Sequence, residues 1–214
     1  MRLHLLVLSF LIAALPRAAS AQTALGLPSF DEGPFILTAG VGFGEGATSF
    51  GGGFVGGTDE IWGGIGVSYS SFDDIDTSAV GVNGTVGTSF ALDTRSRVWP
   101  SPVAAVGFLT GPDIGEIDVD VFALRGGARL GIIATTGGPV TVVPTFGLDI
   151  AYDRVSADFA GVAGSEGETY AIARIGAGFL INERFSILPT VSMPLGRDDS
   201  DVVFNIGVGI NLGS

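Results

Sequence analysis

Four charged side chains stand among apolar neighbours in the second half of this 214-residue chain: Arg125, Arg129, Asp149 and Arg174. Around the first two, Phe122, Leu124, Leu130 and Ile132 fall on alternate positions. Phe146, Leu148 and Ile150 do so around Asp149, and Ala173 and Ile175 flank Arg174. Successive side chains of an extended strand point to opposite faces, so the charges share the face opposite the apolar row. Pairing two such strands about a turn centred near residue 137 sets Arg125 almost opposite Asp149. Pairing across the next connection brings Arg174 within about two residues of Asp149. Guanidinium groups facing a carboxylate can do one of two things. They can fill an interior as an ion-pair network, or they can line a constriction that selects ions.

Other chemistry is excluded by what is missing. The sole histidine is His4, and cysteine and lysine are absent. Behind the first 21 residues no Ser–His–Asp or Cys–His arrangement, disulfide, thiolate or His-ligated metal site, or Walker lysine can exist. The glycines Gly40, Gly42, Gly44 and Gly46 recur with period two, which suits a strand and fails the dinucleotide spacing. A carboxylate-pair hydrolase needs no histidine, but acids such as Asp73, Asp74 and Asp76 read as a solvated connection. Oxygen-rich stretches at 71–77, 113–120 and 198–201 lack calcium-loop spacing. No cofactor and no metal are expected.

The N-terminus reads as a secretory signal peptide over 1–21, with Arg2, an apolar stretch at 5–15 and Ala19-Ser20-Ala21 as the cleavage site. That apolar stretch is about half of what a spanning helix needs, and Pro16 and Arg17 follow it. Residues 22–214 carry 8 Arg against 22 acids, a net charge of about −14 that repels nucleic acid. The chain is 46% hydrophobic with 35 glycines and a mean hydropathy of +0.52, and no stretch after the signal is long enough for a spanning helix. Its apolar surface must meet either a core or lipid, and the glycine content favours a crowded barrel interior.

The elements that must position the charges follow from alternation. Residues 22–34 read as an N-terminal tail. Strands are expected at 35–44, 48–56, 61–71, 78–92, 98–109, 118–133, 140–152, 168–181, 185–195 and 202–212. Short connections at 57–60, 93–97, 134–139 and 182–184 alternate with 45–47, 71–77, 110–117, 153–167 and 196–201. Four of these five are longer and acidic, and 45–47 breaks the rule. Aromatic residues gather at strand ends: Phe35, Phe90, Trp99, Phe179 and Phe185 at one, Phe43, Tyr69, Phe108 and Tyr152 at the other. That is the pattern of two interfacial girdles. Pro144 and Pro189 should each mark a bulge, and Pro100 and Pro102 should delay the fifth strand to about Val103.

With these segments in place, 35–212 resembles the small outer-membrane β-barrel proteins of Gram-negative-type bacteria, the group of eight- and ten-stranded barrels. The resemblance rests on pattern. It implies an antiparallel up-and-down transmembrane β-barrel of about ten strands, or eight if 48–56 is unpaired or short. It also implies a monomer in the outer membrane, with outer-membrane lipid and the barrel-insertion machinery as partners. Family members usually end on an aromatic residue, whereas this chain ends Ile210-Asn211-Leu212-Gly213-Ser214. The family's enzymes use a catalytic histidine, and none follows the signal, so no enzymatic activity is expected. The expectation is a structural protein, or one that binds extracellular ligands through acidic loops, its lumen plugged by Arg125, Arg129, Asp149 and Arg174. A narrow ion or small-solute channel is the alternative. A secreted soluble β-barrel or sandwich binding module is the reading from another class.

Overall fold

The computed structural model describes residues 25–28, 30, 33–58, 60–72, 77–90, 97–111, 117–134, 138–159, 162–196 and 202–213. The signal peptide expected at 1–21 lies outside them, as do 73–76, 113–116 and 198–201 of the stretches considered for calcium. Ten strands follow in order: β1 (Phe35–Gly44), β2 (Ala47–Gly57), β3 (Ile61–Phe72), β4 (Thr77–Thr88), β5 (Val98–Thr110), β6 (Ile117–Ile132), β7 (Val140–Phe159), β8 (Val162–Ile181), β9 (Phe185–Leu195) and β10 (Val203–Asn211). Each pairs antiparallel with its sequence neighbours, and β1 pairs with β10, so the sheet closes without an edge. The strand at β2 is a full member of the ladder, which sets the count at ten rather than eight.

An inward row starting at Ile36 runs through Val55, Gly64, Thr85, Ala105, Arg125, Ala151 and Tyr170. Extended in register through β9 and β10, it returns to β1 displaced by about 12 residues, so the strands must tilt roughly 40° from the barrel axis. The opposite parity faces out. Ile65 is 72% exposed, and Val67, Phe54, Val82, Leu148 and Ile150 are exposed with it. Between Tyr69, Phe108 and Tyr152 at one end and Phe35 and Phe179 at the other, no outward position on any strand carries an acid or an arginine. Outward charges such as Asp118, Arg154 and Asp158 appear only past the Tyr152 end. A soluble barrel would put polar residues on this face.

Several expectations change. The stretch 153–167 is not a loop: β7 and β8 continue as a ladder to Phe159↔Val162, and β6 pairs along it to Ile117↔Phe159. Away from an apolar interior, polar cross-strand pairs hold such a ladder, here with Arg154 Nη2 donating to Ser165 Oγ at 3.0 Å. Neither Pro144 nor Pro189 inserts an extra residue. Register is constant across Pro144↔Ala177, and Pro189 leaves Ala177 and Gly178 without partners in β9 while the ladder resumes in the same register. A proline can sit in a strand without a bulge when its missing donor falls where no ladder bond is made. The fifth strand begins at Val98, not Val103. Pro100 and Pro102 pair with β6, and only the β4 ladder waits for Val103. The fourth strand ends at Thr88 rather than at 92.

Trp99 is not part of a girdle. It points inward and is buried, as is Trp62. The short-turn end of the barrel therefore holds an apolar cluster, and residues 25–28 and 30, read from sequence as part of a tail, lie within it. Leu25 and Phe30 are buried in one cluster with Ile36, Val55, Trp62 and Val103. The segment crosses this mouth in steps that need small residues. Gly26, at φ +75°, lies against the backbone of Gly178, and Pro28 abuts Gly209. Asn211 then ties the exit down, its Nδ2 donating to the Gly33 carbonyl at 3.1 Å while its Oδ1 accepts from Gly213 N at 2.8 Å.

Candidate functional site: the lumenal charge cluster

Arg125, Arg129, Asp149 and Arg174 all have inward parity, above the apolar cluster. Arg174 Nε donates to Asp149 Oδ2 at 2.7 Å, and its Nη1 donates to Ser192 Oγ at 2.8 Å. Asp149 is 4% exposed. Its register partners are Gly127 and Ile172, so Arg125 stands opposite Ala151, one inward position further along the strand than the sequence pairing placed it. The turn between β6 and β7 is centred nearer residue 138 than 137. The aliphatic faces decided parity, but a shift of two residues keeps parity, so the pattern could not exclude it.

Glycines make room for the charges. A Cβ on Gly127 would collide with the Asp149 carboxylate. A Cβ on Gly147 would meet Arg129 Cγ at 3.3 Å and Arg174 Cβ at 3.5 Å, so these two arginines flank a bare stretch of β7. Arg129 is within electrostatic reach of Arg174, Asp149 and Arg125. The Nε atoms of Arg125 and Arg129 are buried with no hydrogen-bond partner among the described residues.

Two members were not singled out from sequence. Asp153 takes the Tyr170 hydroxyl hydrogen bond on its Oδ2, at 2.5 Å. Asp153 shares the parity of Asp149 four residues earlier, a signal hidden because it fell in a stretch read as a loop. Tyr170 is the inward neighbour of Ile172 and opposes Ala151. The inward charges of the belt are then three arginines against two aspartates, with the exposed Glu168 at the rim opposite Asp153. Asp149 and Asp153 are roughly 13 Å apart along β7 at ordinary strand rise, too far to share a substrate bond as a hydrolytic carboxylate pair. Each carboxylate is also held by a donor of its own.

Fold and site together define an up-and-down antiparallel barrel of transmembrane type, with a charged patch on β6 to β8 inside a lumen otherwise lined by glycine, hydroxyl, amide and apolar side chains. Neither a family model nor a curated protein matches the chain. Among solved structures it is similar to the N-terminal β-barrel domain of Pseudomonas aeruginosa OprF, at 13% identity over 84% of this chain and 97% of that one, TM-score 0.41. It is also similar to Ail, the attachment invasion locus protein of Yersinia pestis, at 14% identity over 83% and 97%, TM-score 0.43. The translocator domain of the autotransporter NalP from Neisseria meningitidis matches at 13% identity over 84% and 88%, TM-score 0.44.

Proposed function

We propose that this chain is a non-enzymatic integral protein of a bacterial outer membrane, a monomeric barrel whose lumen is shut by its own residues and whose acidic long-connection end faces outward. The observation that carries this is the outer belt, bounded by aromatic residues and free of charge on all ten strands. Lipid chains tolerate no ionised group there, and a barrel with such a belt has no stable place in water. Two layers support the shut lumen. Leu25, Phe30 and Trp62 fill the short-turn end, and the Arg174–Asp149 pair with Arg125 and Arg129 stands above them. A narrow channel is the second reading, favoured by the glycine-lined wall of β1 to β3, where Gly40, Gly51, Gly53 and Gly66 border a cavity of about 360 Å³.

The absence of cysteine makes orientation testable in whole cells. Gly164, on the projecting hairpin, and Gly138, in the turn before β7, are both exposed, and a Cβ at either meets nothing. In intact cells of a Gram-negative host, a membrane-impermeant maleimide should label Gly164→Cys and spare Gly138→Cys until the outer membrane is breached. The reverse pattern would invert the topology. Recovery of the protein in the soluble periplasmic fraction would overturn the membrane assignment.

A further inference from the structure

Among the described residues, the inward charges of the belt are three arginines against two aspartates, and the Nε atoms of two of those arginines have no hydrogen-bond partner. Arg174 shows what such an edge does in this barrel: its Nε grips a carboxylate oxygen and its Nη1 grips a hydroxyl. Arg125 and Arg129 present the same Nε donor, buried and unmatched among the described residues. Asp149 is already engaged by Arg174, and Asp153 Oδ2 by Tyr170. A buried charge in a narrow lumen needs a counter-charge or water. Beside Arg125 lies a cavity of about 390 Å³, bordered by Ser68, Asn83, Gly107 and Asp153 as well. It sits on the long-connection side of the apolar cluster, so it is reached from that end and does not depend on a continuous pore.

We propose that this cavity binds a small oxyanion, a carboxylate or a phosphate, on the guanidinium of Arg125, with Arg129 adding to the positive field. Two oxygens fit the planar fork of a guanidinium side by side, which a spherical halide cannot do. Asn83 supplies an amide on the same wall, two strands from Arg125 across β5. Asp153 restricts the site to small anions that approach from the Asn83 side.

The test uses the folded, nitrogen-labelled barrel in zwitterionic micelles at constant ionic strength, following arginine Nε–Hε resonances while inorganic phosphate, acetate or chloride is added. The Arg125 resonance, identified by its loss in Arg125→Gln, should shift saturably with phosphate, acetate or both; which of them shifts it names the class. Arg154, exposed on the hairpin, should not follow. Arg125→Lys keeps the charge without the fork and should weaken binding about tenfold. Gly107→Val leaves every arginine in place, and its Cβ meets only ordinary contacts near 3.8 Å. It should narrow the cavity between Asn83 and Arg125 and weaken the shift. An Arg125 resonance that moves only when Arg154 does, an equal response to chloride, or undiminished binding in Gly107→Val would each overturn the site.

Discussion

Replacing Asp149 by leucine should cost the folded barrel about 3–5 kcal/mol, read as a lowered urea midpoint of the refolded protein in lipid vesicles. Arg174→Leu should cost less than half as much. An isolated buried ion pair would make the two losses similar, because either deletion strands one charge. Here the surroundings are not neutral. Loss of Asp149 leaves Arg125, Arg129 and Arg174 facing Asp153 alone, and it unties the Arg174 Nε. Loss of Arg174 leaves two arginines against two aspartates, with Arg129 already in the field of Asp149. The double variant returns the lumen to its original excess of one positive charge, and apolar replacement of a buried pair is often neutral or better. It should therefore recover most of what Asp149→Leu loses. Equal costs for the two single variants, or strictly additive losses in the double, would show that the arginines do not act as one electrostatic unit.

The second large effect is expected at Gly178. Its Cα lies against Gly26, so a valine there leaves no space for the N-terminal segment. Gly178→Val should expel residues 25–30 from the short-turn mouth while the strands stay paired. Fully burying a leucine or phenylalanine side chain is worth roughly 1.5–3 kcal/mol, partly offset by the entropy of ordering the segment. A net loss of about 2–4 kcal/mol is expected, together with loss of amide-exchange protection at Gly33, whose N–H donates to the Phe30 carbonyl, and not on the strands. Protection that stayed intact in a folded Gly178→Val barrel would mean that the segment is not held by the contact described. Gly26 cannot be used for the reciprocal test without ambiguity, because its φ of +75° strains any side chain whatever the space.

How much was legible follows from where two environments differ. Where one face meets lipid and the other the lumen, alternation is enforced residue by residue. The bounds of β1 and β9 agree with the alternating stretches to the residue, and those of β3 to within one. Past Tyr152 both faces of the sheet meet water, so Asp153, Arg154, Ser156, Glu166 and Glu168 could stand in any order, and the continuing ladder left no trace in hydropathy. Trp99 was misplaced because an aromatic residue near a strand end suits a girdle or an interior equally, and only parity with Ser101 and Val103 separates the two. Residues 25–30 carry no period at all. Their place depends on Gly178, Gly209 and Asn211, more than 140 residues away. Within the cluster, parity was readable from Leu124, Leu130, Leu148 and Ile175. The exact register, and the partners Tyr170 and Ser192, depend on turn geometry that no local pattern records.

The central claim is that this barrel spans a membrane yet is shut by its own chain. Ion conductance of the refolded protein in a planar lipid bilayer tests it most directly. A silent bilayer, with insertion verified independently by resistance of the barrel to protease, is the result this structure predicts. Discrete conductance steps from the unmodified chain would contradict it, and would mean that ions pass both the Leu25–Phe30 cluster and the Arg174–Asp149 pair.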